Sequence, residues 1–215
     1  MSLPLVSCIM PTANREKYVP YAIKYFLEQD YENKELIIID DGKFGVANLV
    51  PANSNIYYRH TPPIESIGIK RNLACEKSNG EIIIHWDDDD WHASDWISMQ
   101  VNYLLESGAD MCGIQHVHYY SPIKNSFLTV HRSYFGQNNP NNWVHGATLA
   151  YRRSVWQSCP FGNLKAGEDD DFIYNSGAHL HIHNYIDGFV CILHPHNTII
   201  REFEDPKYKI KNYEN

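Results

Sequence analysis

Residues 81–91 read EIIIHWDDDDW, an apolar run that stops in four consecutive aspartates set between two tryptophans. Like charges at the end of a buried strand repel one another, and each carboxylate loses hydration as the strand enters a core. Such a run is unfavourable unless something positive sits beside it. A divalent cation is the obvious candidate, so the chain must fold in a way that ends this strand at a polar site.

The flanking pattern supplies a sheet for that strand. LVSCIM is a short apolar run that ends at Pro11, and the helical segment YVPYAIKYFLEQ follows it, with Pro20 in the first turn where its missing N–H does no harm. The strand ELIIIDDG and the strand NIYYRH come next, and SIGIKRNLACEKS, from Ser66, reads as a helix closed by Asn79-Gly80. Beyond the aspartates, Ser94 is the expected N-cap of a helix whose apolar face is Ile97, Val101, Leu104 and Leu105, ending before Gly108. Short apolar strands alternating with helices predict an α/β fold with a parallel sheet covered on both faces.

From Ala109 onward the pattern changes to strands, MCGIQHVHYY, SFLTVH, WVHGATLAYR, HLHIHNYI and FVCIL, with one helix near EDDDFIYNSG. No linker, repeat or low-complexity stretch interrupts the chain. The 215 residues therefore read as one domain, 1–215, of two halves, about 1–108 and about 109–205.

Bulk properties exclude several classes. Acidic residues outnumber basic ones by 26 to 18, for a net charge of −8, so the footprint of a general nucleic-acid binder is missing. The cysteines at 8, 75, 112, 159 and 191 form no C-x-x-C pair, which argues against a disulfide framework or zinc knuckle and for reduced thiols. MSLPLVSCIM has no basic n-region, and no run approaches 18 apolar residues. The expectation is a cytoplasmic protein with no transmembrane segment, one that partners can hold at the inner membrane face. His179, His181 and His183 would share one strand face, but without an acidic or cysteine partner a partly exposed strand is the preferred reading over zinc.

In an open α/β sheet, ligands collect at the carboxyl ends of the strands. Three strands of the first half end in polar loops: Pro11-Thr12-Ala13-Asn14-Arg15, Asp40-Asp41-Gly42, and Asp87 to Asp90. Together they offer acceptors for a base or ribose and hard oxygen ligands of the kind that suit Mg²⁺ or Mn²⁺, which complete their shells with water and phosphate oxygens.

The ordered set PLVSCIMPTANR, ELIIIDDG, GIKRNLA, GEIIIHWDDDDW and GEDDDF resembles the family 2 glycosyltransferases of the GT-A fold, over roughly Leu5 to Thr198. The resemblance implies a hexosyltransferase-type enzyme of polysaccharide biosynthesis, with a nucleotide-sugar-binding first half and an acceptor-binding second half. It implies a nucleoside-diphosphate sugar donor, UDP-linked foremost, and a saccharide or other hydroxyl acceptor, lipid-linked acceptors included. It implies that Pro11, Thr12, Asn14 and Arg15 wrap base and ribose, that Asp41 with Asp40 beside it contacts the nucleobase, and that Arg71 lies near the donor. The four aspartates match the D-x-D signature through Asp87 and Asp89, with Asp88 near the ribose and Asp89 on a Mn²⁺ or Mg²⁺ ion. Glu168-Asp169 matches the E-D motif, whose aspartate is the general base in an inverting displacement, although Asp170 and Asp171 are its chemical equals in the sequence. His194 falls where relatives supply a histidine to metal or diphosphate, with His196 as the alternative.

Three rival readings remain. A sugar nucleotidyltransferase usually opens with a glycine-rich loop, and PTANRE has no glycine. A D-x-D phosphatase needs an aspartate at the end of the first strand, where Met10-Pro11 stands. A binding module that kept the fold and lost turnover is the third, and intact Asp89 and Asp169 speak against it.

Overall fold

The computed structural model describes residues 3–131 and 143–197 and the backbone of 210–211. Its first half alternates as the apolar runs require: β1 (Val6–Thr12), α1 (Val19–Leu27), β2 (Lys34–Asp40), β3 (Ile56–His60), α2 (Ile67–Lys77), β4 (Ile82–His85), β5 (Trp91–His92) and α3 (Trp96–Ser107). The second half runs β6 (Met111–Ile114), β7 (His116–Ser121), β8 (Ser126–His131), β9 (Ala150–Arg152), α4 (Arg153–Ser158), α5 (Glu168–Asn175), β10 (Leu180–His183), β11 (Phe189–Ile192) and β12 (Ile210–Lys211).

The main sheet has the order β10-β6-β9-β4-β1-β2-β3. Strands β4, β1, β2 and β3 are parallel neighbours, while β9 inserts antiparallel between β4 and β6. A second sheet, β12-β8-β7-β11-β5, is formed mostly by the later strands.

Because side chains alternate across a strand, β1, β2 and β4 divide their apolar residues between two cores. Cys8, Met10, Leu36, Ile38, Ile82 and Ile84 face a core completed by Ile23 and Phe26 of α1 and Trp96, Val101 and Leu104 of α3. Ile9, Ile37, Ile39 and Ile83 face the other, completed by Ala74 and Cys75 of α2, Tyr151 of β9 and Phe172 and Ile173 of α5. A sheet apolar on both faces explains why its strands read as continuous apolar runs. Trp86 and Trp91 divide similarly: Trp86 is fully buried, donates to the Ala22 carbonyl at 3.1 Å and stacks on His92, whereas Trp91 is half-buried in β5.

Several local expectations shift. Helix α3 starts one residue later than the Ser94 cap implies, because the Asp95 carbonyl is the first to accept, from the Met99 N–H at 3.0 Å. It ends at Gly108, which adopts the left-handed conformation (φ 65°) that favours glycine at a helix C-terminus. Helix α2 stops at Lys77, where the Ser78 hydroxyl donates back to the Ala74 carbonyl. MCGIQHVHYY divides at Gln115 into β6 and β7, which belong to different sheets. WVHGATLAYR is no continuous strand, since both the N–H and the hydroxyl of Thr148 donate to the His145 carbonyl and wind Gly146–Thr148 into a 3₁₀ turn before β9. HLHIH contributes only Leu180–His183 to β10, with His179 exposed and His183 buried against Tyr103 and Gln100.

Candidate active site

The carboxyl ends of β1 and β4 open into a cleft of about 500 Å³. Its walls include Pro11 to Arg15 after β1, Asp87 to Asp90 after β4, and Lys165 to Asp169 around the start of α5. Tyr119, His145, His196 and Asn197 also line it.

The four aspartates each meet a different partner, which resolves the question their spacing raised. Asp87 faces the guanidinium of Arg71 at 3.5 Å, and Asp88 accepts from the Thr12 hydroxyl at 2.5 Å. Asp89 accepts from Arg15 at 2.5 Å, with His194 Nε2 at 3.0 Å and Asn197 Nδ2 at 3.3 Å. Asp90 accepts the Ile192 N–H at 3.0 Å and thereby joins the turn to β11. Two arginines of the chain itself therefore offset part of the charge.

Burial dominates the electrostatics. It raises the carboxyl of Asp87 against the pull of Arg71, and together with the charge of Asp89 it pushes Asp88 up to about 7. Asp90, also buried, is raised well above the usual carboxylate range. Burial would raise Asp89 as well, but His194 and Arg15 outweigh it and hold the group below the ordinary value. One member of the run thus stays ionised beside neighbours that resist ionisation.

His194 stacks on Tyr18 at 4.2 Å, and its Nδ1 accepts the His196 N–H at 3.1 Å. Its Nε2 lies 3.0 Å from Asp89 Oδ2 and 3.1 Å from Arg15 Nη1. His194 thus backs the carboxylate, while His196, two residues on, lines the cleft together with His145.

The loop after β2 is arranged less as expected. Asp40 is wholly buried, and its carboxylate accepts from Gly42 N–H, Val46 N–H and the Tyr58 hydroxyl at 2.9–3.1 Å, so it shapes its own loop and does not line the cleft. Asp41 is taken up by the Ile64 N–H and by the ammonium of Lys70, which also donates to the Thr12 carbonyl at 3.2 Å. Asn14, in the left-handed conformation that asparagine tolerates (φ 54°), accepts the Lys43 N–H and ties the first loop to the second.

At the α5 end of the cleft, Gly167 at φ 76° precedes α5, whose first turn is Glu168-Asp169-Asp170-Asp171. Acids in a first helical turn complement the helix dipole. Their side chains nonetheless diverge. Glu168 is buried against Arg71 Nε at 3.0 Å, Asp170 accepts from the indole N–H of Trp143, and Asp171 accepts from Asn175 at 2.7 Å. Asp169 is the aspartate of this turn that lines the cleft. It lies near enough to Asp87 to raise that carboxyl.

Among the described residues no three His, Cys, Asp or Glu side chains gather into a metal-holding set. Asp87 and Asp89 do match the sparser mode of Mg²⁺ and Mn²⁺ binding, in which one or two carboxylates hold the ion and phosphate oxygens and water complete its shell. Lys70 and Lys165 are cleft residues that the motifs did not single out, and so are Tyr119, His145 and Asn197. Of these, only Lys70 carries a local signal, its place beside Arg71 on α2.

The model of the "Glycosyl transferase family 2" family matches residues 7–158. The chain belongs to that family. An uncharacterized glycosyltransferase of Haemophilus influenzae is 35% identical over 112 residues, which are 50% of this chain and 45% of that protein. Among solved structures, S. aureus TarS 1–349 in complex with UDP-GlcNAc superimposes with a TM-score of 0.74 at 20% identity, over 90% of this chain and 60% of that one. A mannosyltransferase from Pyrobaculum calidifontis in complex with GDP-Man and Mn²⁺ does so with a TM-score of 0.68 at 17% identity, over 89% of this chain and 57% of that one. These glycosyltransferases have the GT-A fold, and the chain shares it. This family 2 chain spans under half the length of the Haemophilus relative. Its helix α5, with Asp169, lies beyond the stretch that the family model matches. No helix among its described residues is long and apolar enough to cross a membrane.

Proposed function

We propose that this chain transfers a sugar from a UDP-linked donor to a hydroxyl acceptor, with inversion at the anomeric carbon and Asp169 as general base. One observation carries the proposal: Asp169, at the start of α5, lines the same cleft as Asp87, Asp88 and Asp89 after β4. Displacement in one step needs a proton acceptor on the attacking side and charge stabilisation on the leaving side, and the cleft offers a separate group for each.

In this reading Pro11, Thr12, Asn14 and Arg15 hold the base and ribose side of the donor. Asp41 meets the base by exchanging Lys70 for it, while Asp40 keeps the loop in shape. Asp88 turns toward the ribose. Arg71 holds Asp87 and Glu168 in place, and Lys165 lends positive charge near the diphosphate. Asp169 takes the proton of the acceptor hydroxyl as that oxygen bonds to the anomeric carbon and the bond from that carbon to the diphosphate oxygen breaks. A divalent ion on Asp89, backed by His194, would supply charge neutralisation for the departing diphosphate. The acceptor approaches past Tyr119 and His145, whose hydroxyl and imidazole are hydrogen-bonded at 3.0 Å. A saccharide, free or lipid-linked, suits this aromatic and polar wall.

Calorimetric titration of UDP, GDP, ADP and CDP with and without Mn²⁺ tests the donor side. Metal-dependent binding of UDP is expected. Absence of binding by every diphosphate in both conditions would overturn the proposal.

A further inference from the structure

Gly146 contributes no side chain, and the space where one would begin is filled by Asp169. A Cβ built on Gly146 would lie 1.6 Å from Asp169 Oδ2, 2.4 Å from its Cγ and 2.6 Å from its Cβ. We infer that Gly146 is a positioning residue, whose bare Cα forms the seat that fixes the Asp169 carboxylate in the cleft. The inference rests on the proposed role of Asp169 as base.

Both sides of this contact are anchored. His85 Nδ1 lies 2.7 Å from the Gly146 carbonyl, and burial holds this imidazole neutral, so that it donates one N–H to that oxygen. The Leu149 N–H donates to the same carbonyl at 3.2 Å. One residue earlier, the His145 N–H donates to the Ile114 carbonyl at 2.8 Å, which pins the turn to β6. On the helix side, the Asp170 N–H donates to Asp169 Oδ1 at 3.0 Å, and Arg71 holds the preceding Glu168. Both the turn and the helix end are thus held by hydrogen bonds at the point of contact.

Gly146 is not among the residues of positive φ, so alanine fits its backbone without strain. The effect of Gly146→Ala then comes through the added Cβ alone. Carbon atoms in contact sit about 3.5–4.0 Å apart, so the carboxylate must retreat by roughly 2 Å. Swinging into the open cleft clears Oδ2 and Cγ, but Asp169 Cβ, 2.6 Å from the added methyl, is fixed to the backbone, so the start of α5 must move as well and the carboxylate loses its position. A misplacement of about 1 Å in a reacting group can cost roughly 100-fold in rate.

The test is a double-mutant cycle of Gly146→Ala and Asp169→Asn, read as UDP release from a panel of UDP-sugars with p-nitrophenyl glycosides as acceptors. Gly146→Ala should lower kcat about 100-fold or more, with Mn²⁺-dependent UDP affinity close to wild type. In the Asp169→Asn background the same substitution should change kcat by less than about threefold, since the seat has no base left to position. Wild-type kcat in Gly146→Ala, or the same proportional loss in both backgrounds, would overturn the inference while leaving the base assignment standing. Full turnover by Asp169→Asn alone would sink both. Should Gly146→Ala melt low, adding Asp169→Gly removes the obstructed side chain and should restore the melting temperature. A persistent defect there would show that the glycine serves the turn and not the carboxylate.

Discussion

Replacing Arg71 with methionine probes the joint between the two walls of the cleft. Arg71 is 5% exposed and reaches Glu168 at 3.0 Å and Asp87 at 3.5 Å. Burial alone would lower its pKa, but Asp87 and Glu168 more than reverse that and keep it charged. Methionine fills much of the same volume and leaves Glu168, itself 5% exposed, without its cation. Breaking a buried pair in this way costs about 3–5 kcal/mol. Asp87 adds at most about 1 kcal/mol, because its contact is long and its side chain is 28% exposed.

The loss has a defined pH dependence. Burial already raises the Asp87 carboxyl in the folded state, and without the opposing pull of Arg71 it binds its proton more tightly still. A carboxyl raised in this way costs stability above its unfolded pKa, about 4, and none below it. Urea unfolding should therefore show a loss of about 3–5 kcal/mol at pH 8 that shrinks toward pH 5, with Glu168→Gln recovering part of it at pH 8. A loss under about 1 kcal/mol at pH 8, the range of an exposed pair, or an equal loss at both pH values, would refute the reasoning.

Two further outcomes follow from the aspartate run. Burial lifts Asp88 to about 7, above its unfolded value, so ligand-free protein should lose melting temperature as pH rises from 5 to 8. Asp88→Asn should flatten that slope while still accepting from Thr12, and an unaltered slope would count against the burial argument. Asp89→Ala should weaken Mn²⁺-dependent UDP binding at least tenfold; affinity equal to wild type with Mn²⁺ present would remove the metal role from Asp89.

Strands β1, β2 and β4 were legible in the sequence because each is an apolar run that ends in a polar loop, and a sheet buried on both faces imposes that pattern. The loops after β1 and β4, which line the cleft, were legible for the same reason. What escaped depends on which partner each side chain takes up in three dimensions, some a few residues away and some far off. Nothing local to Asp40 says that Tyr58 and two backbone amides will claim its carboxylate, nor does the spacing of WVHGATLAYR reveal that a threonine hydroxyl will turn it at Gly146. The insertion of β9 antiparallel between β4 and β6 is a pairing of residues 68 apart, as in Ile83 with Tyr151. Asp169, Asp170 and Asp171 are equals on paper and differ only once Trp143 and Asn175 have taken their neighbours. The helix α4, RSVWQS, is too short for an apolar period to announce it.

The most direct measurement compares wild type and Asp169→Asn for sugar transfer and, in the same preparations, for UDP binding with Mn²⁺. The account predicts a fall in kcat of about 10²–10⁴-fold with UDP affinity unchanged, because base catalysis and donor binding sit on different groups. Turnover near the wild-type rate, or loss of UDP affinity in proportion to the loss of rate, would contradict it.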